Sequence, residues 1–171
     1  EEETNVDIME IYFQGTGIDY KSVFGDLIEE ERVKEQIIKT IDRVKNTSFI
    51  NPNIILTGDG ENDKSTISLA KSLLKVLYQL KYINISKVGM IDAKKLNLIS
   101  QEQKSKTLRN CSLIINQASF LEENTVKELI DFMAEKDRNI FIVFIDTKER
   151  GLQLIQDWPE LDQHFQGTLK L

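Results

Sequence analysis

The feature that most constrains this chain lies between residues 53 and 80, where the apolar run Asn53-Ile54-Ile55-Leu56-Thr57 stops at Gly58 and gives way to a polar loop. Beyond the loop, Ile67, Ala70, Leu74, Leu77 and Leu80 recur at helical spacing, so the passage reads strand, loop, helix. Compact apolar runs return at residues 87–92 (KVGMID), 113–115 (LII) and 140–145 (IFIVFI), and residues 168–171 supply a fifth. Helical patterns alternate with them at 29–45, where Val33, Ile37, Ile41 and Val44 share a face, at 101–109 and at 124–136. Strands that alternate with helices need crossover connections, which build a parallel sheet covered on both sides. The expected fold class is therefore α/β, with five mainly parallel strands and helices on both faces.

The polar loop reads Gly58-Asp59-Gly60-Glu61-Asn62-Asp63-Lys64-Ser65-Thr66. A phosphate-binding loop joins a buried strand to a helix, uses glycines so that backbone N–H groups approach the phosphates, and ends in Lys then Ser or Thr. The strand, the helix and the spacing from Gly58 to Lys64 and Ser65 fit this pattern, but Asp63 stands where the last glycine belongs. Asp59, Glu61 and Asp63 also place three carboxylates where a polyphosphate would sit. At ~5 Å and an effective dielectric of ~20 each unscreened like-charge pair costs roughly 3 kcal/mol, of which Lys64 offsets only part. The same acids do not make a calcium loop, because Lys64 takes the place of the sharp-turn glycine and Ala70 that of the bidentate glutamate. No metal site is expected.

Composition narrows the rest. The chain has 171 residues, enough for one domain with a real core, and carries 22 Lys and Arg against 28 Asp and Glu, a net charge of -6. With no basic stripe, a nucleic-acid partner is not expected. The longest apolar run, 140–145, is far too short to span a bilayer, and no signal-peptide pattern opens the chain, so a cytoplasmic, non-membrane protein is expected. The single cysteine, Cys111, sits in an apolar run and reads as a buried, inert thiol. Residues 1–17 are acidic and then glycine-punctuated and read as a loosely held arm. Within them Ile11-Tyr12-Phe13-Gln14-Gly15 looks like part of a protease site used to remove purification tags, although Met9 stands where that site has a glutamate.

From residue 27 to residue 171 the chain resembles the AAA+ branch that contains the red-type Rubisco activase and stage V sporulation protein K, the CbxX/CfqX type. The resemblance rests on Leu27-Ile28-Glu29-Glu30-Glu31-Arg32-Val33-Lys34-Glu35-Gln36-Ile37, on Leu113-Ile114-Ile115-Asn116-Gln117-Ala118-Ser119-Phe120-Leu121, and on Trp158-Pro159-Glu160-Leu161-Asp162-Gln163-His164-Phe165. It implies a three-layer P-loop NTPase core with Gly58, Gly60, Asp63, Lys64, Ser65 and Thr66 as a vestigial nucleotide loop. Framework residues agree with the family and chemical ones depart from it. Asn116 replaces the aspartate that orients the magnesium shell, and a neutral amide gives a hard cation little negative charge. Gln117 replaces the glutamate that polarises the attacking water, and an amide cannot accept that proton. Asp162 and His164 stand where the family has arginines that stabilise a neighbour's transferring phosphoryl group. Glu29 and Glu30 replace the Gly-Leu of the adenine side. Residues 95–101 lack the aromatic-glycine pair with which motors of this branch grip a polypeptide.

The resemblance thus implies a pseudo-ATPase domain, residues 18–171, without the lid domain that normally follows the fifth strand. No cofactor is expected. Its expected partners are other AAA+ domains, in the same chain or as a paralogue, and the isolated fragment is expected to be a monomer. The alternative is a domain that binds ATP and magnesium structurally or hydrolyses ATP weakly, relying on Lys64 and Ser65. The lone histidine reads as a packing or surface residue, and Trp158 as a plug for the helix before it.

Overall fold

The computed structural model describes residues 6–46, 51–60 and 63–171, with the side chains of 162–168 outside the description. Five strands, β1 (Asn53–Gly58), β2 (Val88–Asp92), β3 (Cys111–Asn116), β4 (Ile140–Thr147) and β5 (Phe165–Lys170), form one sheet in the order β2-β3-β4-β1-β5. Every pairing is parallel. The expected α/β class holds, and the sheet is wholly rather than mainly parallel.

The pleat explains why the apolar runs are continuous. Along β4, Phe141, Val143 and Ile145 point into one core while Ile140, Ile142 and Phe144 point into the other, and β1 divides Ile54 and Leu56 from Ile55 in the same way. The first core is closed by α3 (Glu31–Asn46) and α4 (Lys64–Gln79), together with two short helices, α1 (Ile8–Phe13) and α2 (Tyr20–Phe24). The second is closed by α5 (Ala93–Leu98), α6 (Gln101–Thr107), α7 (Glu123–Ala134) and α8 (Lys148–Asp157). Gly151 lets α8 lie close to the sheet, since a Cβ there would stand 2.8 Å from Cγ2 of Thr57.

Residues 1–17 are expected to form a loose arm; 1–5 lie outside the described residues, and over 6–17 the structure differs. Met9 is fully buried and Phe13 nearly so. Phe13 stacks on Tyr20 with centroids 5.6 Å apart, and Phe24 closes the cluster. Tyr12 donates its hydroxyl to Asp42 of α3 at 2.8 Å, and Tyr20 donates to Asp7 at 3.0 Å. Burial alone would raise the Asp7 carboxyl, but the Met9 N–H, the Tyr20 hydroxyl and the Lys34 ammonium together hold it below its ordinary value. Its contribution is present above the unfolded value of 3.8 and is lost as pH falls through the lowered folded one. The four aromatic residues lie too far apart in sequence for a single helical period to reveal them.

The two edges of the sheet are treated differently. At β5 the Gln36 side chain of α3 imitates a strand, accepting the Lys170 N–H at 2.7 Å and donating to the Lys170 carbonyl at 3.1 Å. That edge is capped. At β2 the side chains of Val88 and Met90 are exposed.

Below the sheet, at the N-terminal ends of β3 and β4, lies a buried polar knot. Arg138, only 1% exposed, donates to the Ser105 carbonyl at 2.7 Å and the Leu108 carbonyl at 2.9 Å, and its Nε donates to Glu135 at 2.7 Å. Its guanidinium also stacks on Phe132, 4.2 Å from the ring centroid. Lys104 of α6, also buried, pairs with Glu128 of α7. Cys111 is buried nearby, where desolvation pushes its thiol up against the smaller opposing effects of Lys87, the Arg109 N–H and Arg138. No helix among the described residues is long and apolar enough to cross a membrane.

Candidate functional site

The strand order defines where a ligand crevice falls. From β1 the chain leaves toward the α4 face, and from the adjacent β4 it leaves toward the α8 face, so a cleft opens beyond the carboxyl ends of these two strands. Register places Gly58 beside Thr147 and Thr57 beside Asp146, while Asn116 ends β3 beside Asp92 of β2. The crevice beside Gly58 is about 440 Å³, lined by Gly58, Asp59, Thr147, Lys148, Glu149 and Arg150.

The loop after β1 starts α4 as the sequence pattern requires. Asp63 is the residue before the first turn, and its Oδ1 accepts the Ser65 N–H at 2.9 Å. Lys64 and Ser65 are exposed, and with Ser22, Asp26 and Leu27 they line a shallow cleft on the other side of α4 of about 370 Å³. Thr66 is fully buried, and its Oγ1 has no hydrogen-bond partner. A Cβ at Gly58 would come within 2.5 Å of that oxygen and 2.7 Å of Asp63 Oδ2, so any larger residue there would force the Thr66 and Asp63 side chains to shift. Asp59 is exposed and pairs with Lys148 at 3.0 Å. Gly60 is exposed with open space around it, and Glu61 lies outside the described residues.

At the end of β3, Asn116 is 5% exposed and its Oδ1 accepts the Gln117 N–H at 3.0 Å. Gln117 takes a left-handed conformation, with φ 51° and ψ 49°, and opens the turn Ala118–Phe120. The structure therefore brings Asn116 and Gln117 to the same edge of the sheet as Gly58. It does not bring Asp162 and His164 there. They fall in the turn Pro159–His164 before β5, whose parallel pairing starts with Phe165 beside Asn53, at the opposite end of β1; their side chains are outside the description.

One residue at the carboxyl end of β4 has no counterpart among the sequence expectations. Asp146 is buried, and its two carboxylate oxygens accept the Ser119 N–H at 2.8 Å and the Thr147 N–H at 2.7 Å, which ties the end of β4 to the turn after β3. The apolar run ends at Ile145, and the first polar residue after such a run in a parallel sheet is the available signal. A second feature is the Phe120 ring, flanked by Lys94 of α5 at 4.6 Å and Arg150 of α8 at 5.2 Å. The chain enters α5 directly after β2, so residues 95–98 are helical. Among the described residues no cluster of three or more His, Cys, Asp or Glu could hold a metal ion.

No family model matches the sequence, and no curated protein matches it. Solved structures do. The chain superimposes on the Thermotoga maritima RuvB Holliday junction branch migration motor with a TM-score of 0.56 and 18% identity, over 83% of this chain and 45% of that one. A point variant of the same RuvB gives 0.59 and 18%, over 85% and 46%. The Drosophila ORC bound to DNA gives 0.51 and 10%, over 99% and 36%. These neighbours are AAA+ P-loop NTPases, and the fold of this chain is of their type. The chain spans less than half the length of each.

Proposed function

We propose that this chain is a catalytically silent AAA+-type module that contributes a folded subunit face to a larger AAA+ assembly, as scaffold or regulator. The observation that carries the reading is Asn116: at the strand end where the family resemblance implies a magnesium-orienting carboxylate stands a buried amide, its oxygen already bonded to the Gln117 N–H. Gln117 beside it is no proton acceptor. The framework runs at residues 27–37 and 113–121 support an origin in the CbxX/CfqX branch, with the chemistry lost and the architecture kept.

A flat, apolar-centred face can persist without a competent site, because association needs shape and buried area rather than catalysis. The partner is then another AAA+ domain whose nucleotide state this one senses or sets. Light scattering and domain crosslinking on the full-length polypeptide test this. Crosslinks between this domain and a second AAA+ core are expected, and a monomer without such contacts would sink the scaffold reading. The isolated 171-residue chain is expected to run as a monomer. A paired expectation concerns catalysis: Asp63→Gly alone leaves Asn116 and Gln117 in place and gives no ATP turnover above buffer. Measurable turnover in that variant would show that the end of β3 is misassigned.

The second reading, structural binding of nucleotide, is favoured by the exposure of Lys64 and Ser65 at the start of α4. Calorimetric titration separates the two.

A further inference from the structure

We infer that the Asp63 carboxylate is the built-in occupant of an anion cradle formed by Gly58 and the first turn of α4, closing the loop against polyphosphate from within. The inference rests on the silent-module reading above and says how the loop is held shut. The first turn of a helix offers N–H groups and a favourable dipole to an anion. Here one of those donors, the Ser65 N–H, is already bonded to Asp63 Oδ1 at 2.9 Å.

The second carboxylate oxygen is folded over Gly58. Asp63 Oδ2 and Thr66 Oγ1 both approach the point where a Gly58 Cβ would be, at 2.7 and 2.5 Å, so the room that the glycine leaves is used by the side chain of the same loop. The Thr66 hydroxyl sits on the same first turn but is a side-chain donor, separate from the backbone N–H groups, and it faces the same room over Gly58. It is fully buried and has no partner, and a buried hydroxyl without an acceptor is an exception that calls for an explanation. A carboxylate fills the cradle but leaves this donor unused, whereas a larger tetrahedral anion would present further oxygens. The other described loop acid acts alongside: Asp59 takes Lys148 at 3.0 Å and so neutralises a cation that lines the crevice. Asp63 is thus bonded on the helix side and Asp59 paired on the β4 side.

Thermal melts of the chain with inorganic pyrophosphate, against sodium chloride of equal ionic strength, test the inference with two variants. The wild-type Tm is expected not to respond. Asp63→Gly loses the side-chain cap and empties the cradle, and because glycine is itself tolerated at a cap its Tm falls by only about 1 °C. Pyrophosphate at about ten times its Kd then raises it by roughly 3–5 °C. Asp63→Asn keeps an equally good cap and a filled cradle without the charge, and is expected to melt like the wild type and to ignore pyrophosphate. A response of Asp63→Asn equal to that of Asp63→Gly would show that charge alone excludes the anion and would overturn the occupant. So would an Asp63→Gly protein that folds and does not respond.

Should Asp63→Gly not fold, hydrogen exchange on the wild type decides: the Ser65 amide is expected to be protected and unchanged by pyrophosphate, and fast or pyrophosphate-dependent exchange overturns the inference. The two readings fail separately. Wild-type stabilisation by pyrophosphate without turnover removes the occupant alone, whereas ATP turnover by the wild type removes the silent module.

Discussion

Replacing Arg138 by alanine is expected to destabilise the domain by about 3–5 kcal/mol, because it leaves buried acceptors without their donor and removes the buried half of an ion pair. The guanidinium serves two helices at once. It donates to the carbonyls of Ser105 and Leu108 at the end of α6, where orphan carbonyls need a donor, and to Glu135 at the end of α7. Its face covers Phe132. Urea unfolding with an unchanged m-value measures the loss. Arg138→Lys keeps the charge but not the fork, and is expected to recover less than half of it. A loss under about 1 kcal/mol, the scale of an exposed pair, would contradict a structural role for this buried knot.

The second large effect is expected at Phe13. Phe13→Ala removes a 4%-exposed ring that stacks on Tyr20 and touches the Tyr12 and Phe24 rings, and a loss of about 3–5 kcal/mol follows from the transfer and cavity costs of such a deletion. If residues 6–17 were a loose arm, the same substitution would change stability by no more than about 0.5 kcal/mol. Chemical denaturation of the variant therefore decides directly whether α1 belongs to the folded domain. Tyr12→Phe, which deletes only the bond to Asp42, is expected to cost roughly 1 kcal/mol.

The sequence made some of this structure plain and hid the rest for physical reasons. Strands β1 and β4 are buried on both faces, so their runs are apolar without interruption, and α3 and α4 cover one core with a regular stripe. Such long, two-sided burial leaves a strong imprint. Helices α1 and α5 are six residues each and show too few turns for a period to emerge. The β5 edge was also hidden, since Gln36 acts through backbone atoms 134 residues away that no local pattern reports.

At this end of the sheet, Gly58 and Asp63 are singled out by the spacing of the loop, and Asn116 and Gln117 only by the family resemblance of residues 113–121. What spacing could not supply was orientation. Spacing presents three loop acids as a repulsive field, whereas Asp63 turns inward to the helix and Asp59 outward to Lys148. Asp146 is not legible in the sequence, because a carboxylate after an apolar run looks like ordinary solvation, whereas here it accepts two backbone N–H groups.

Isothermal titration of the wild-type chain with ATP and magnesium tests the central claim most directly. With Asp63 seated on the α4 N-terminus, Asp59 paired to Lys148 and an amide at the end of β3, no saturable heat is expected in the micromolar range. A dissociation constant on the order of ten micromolar or tighter, about 7 kcal/mol of binding, that disappears in Lys64→Ala would contradict the account.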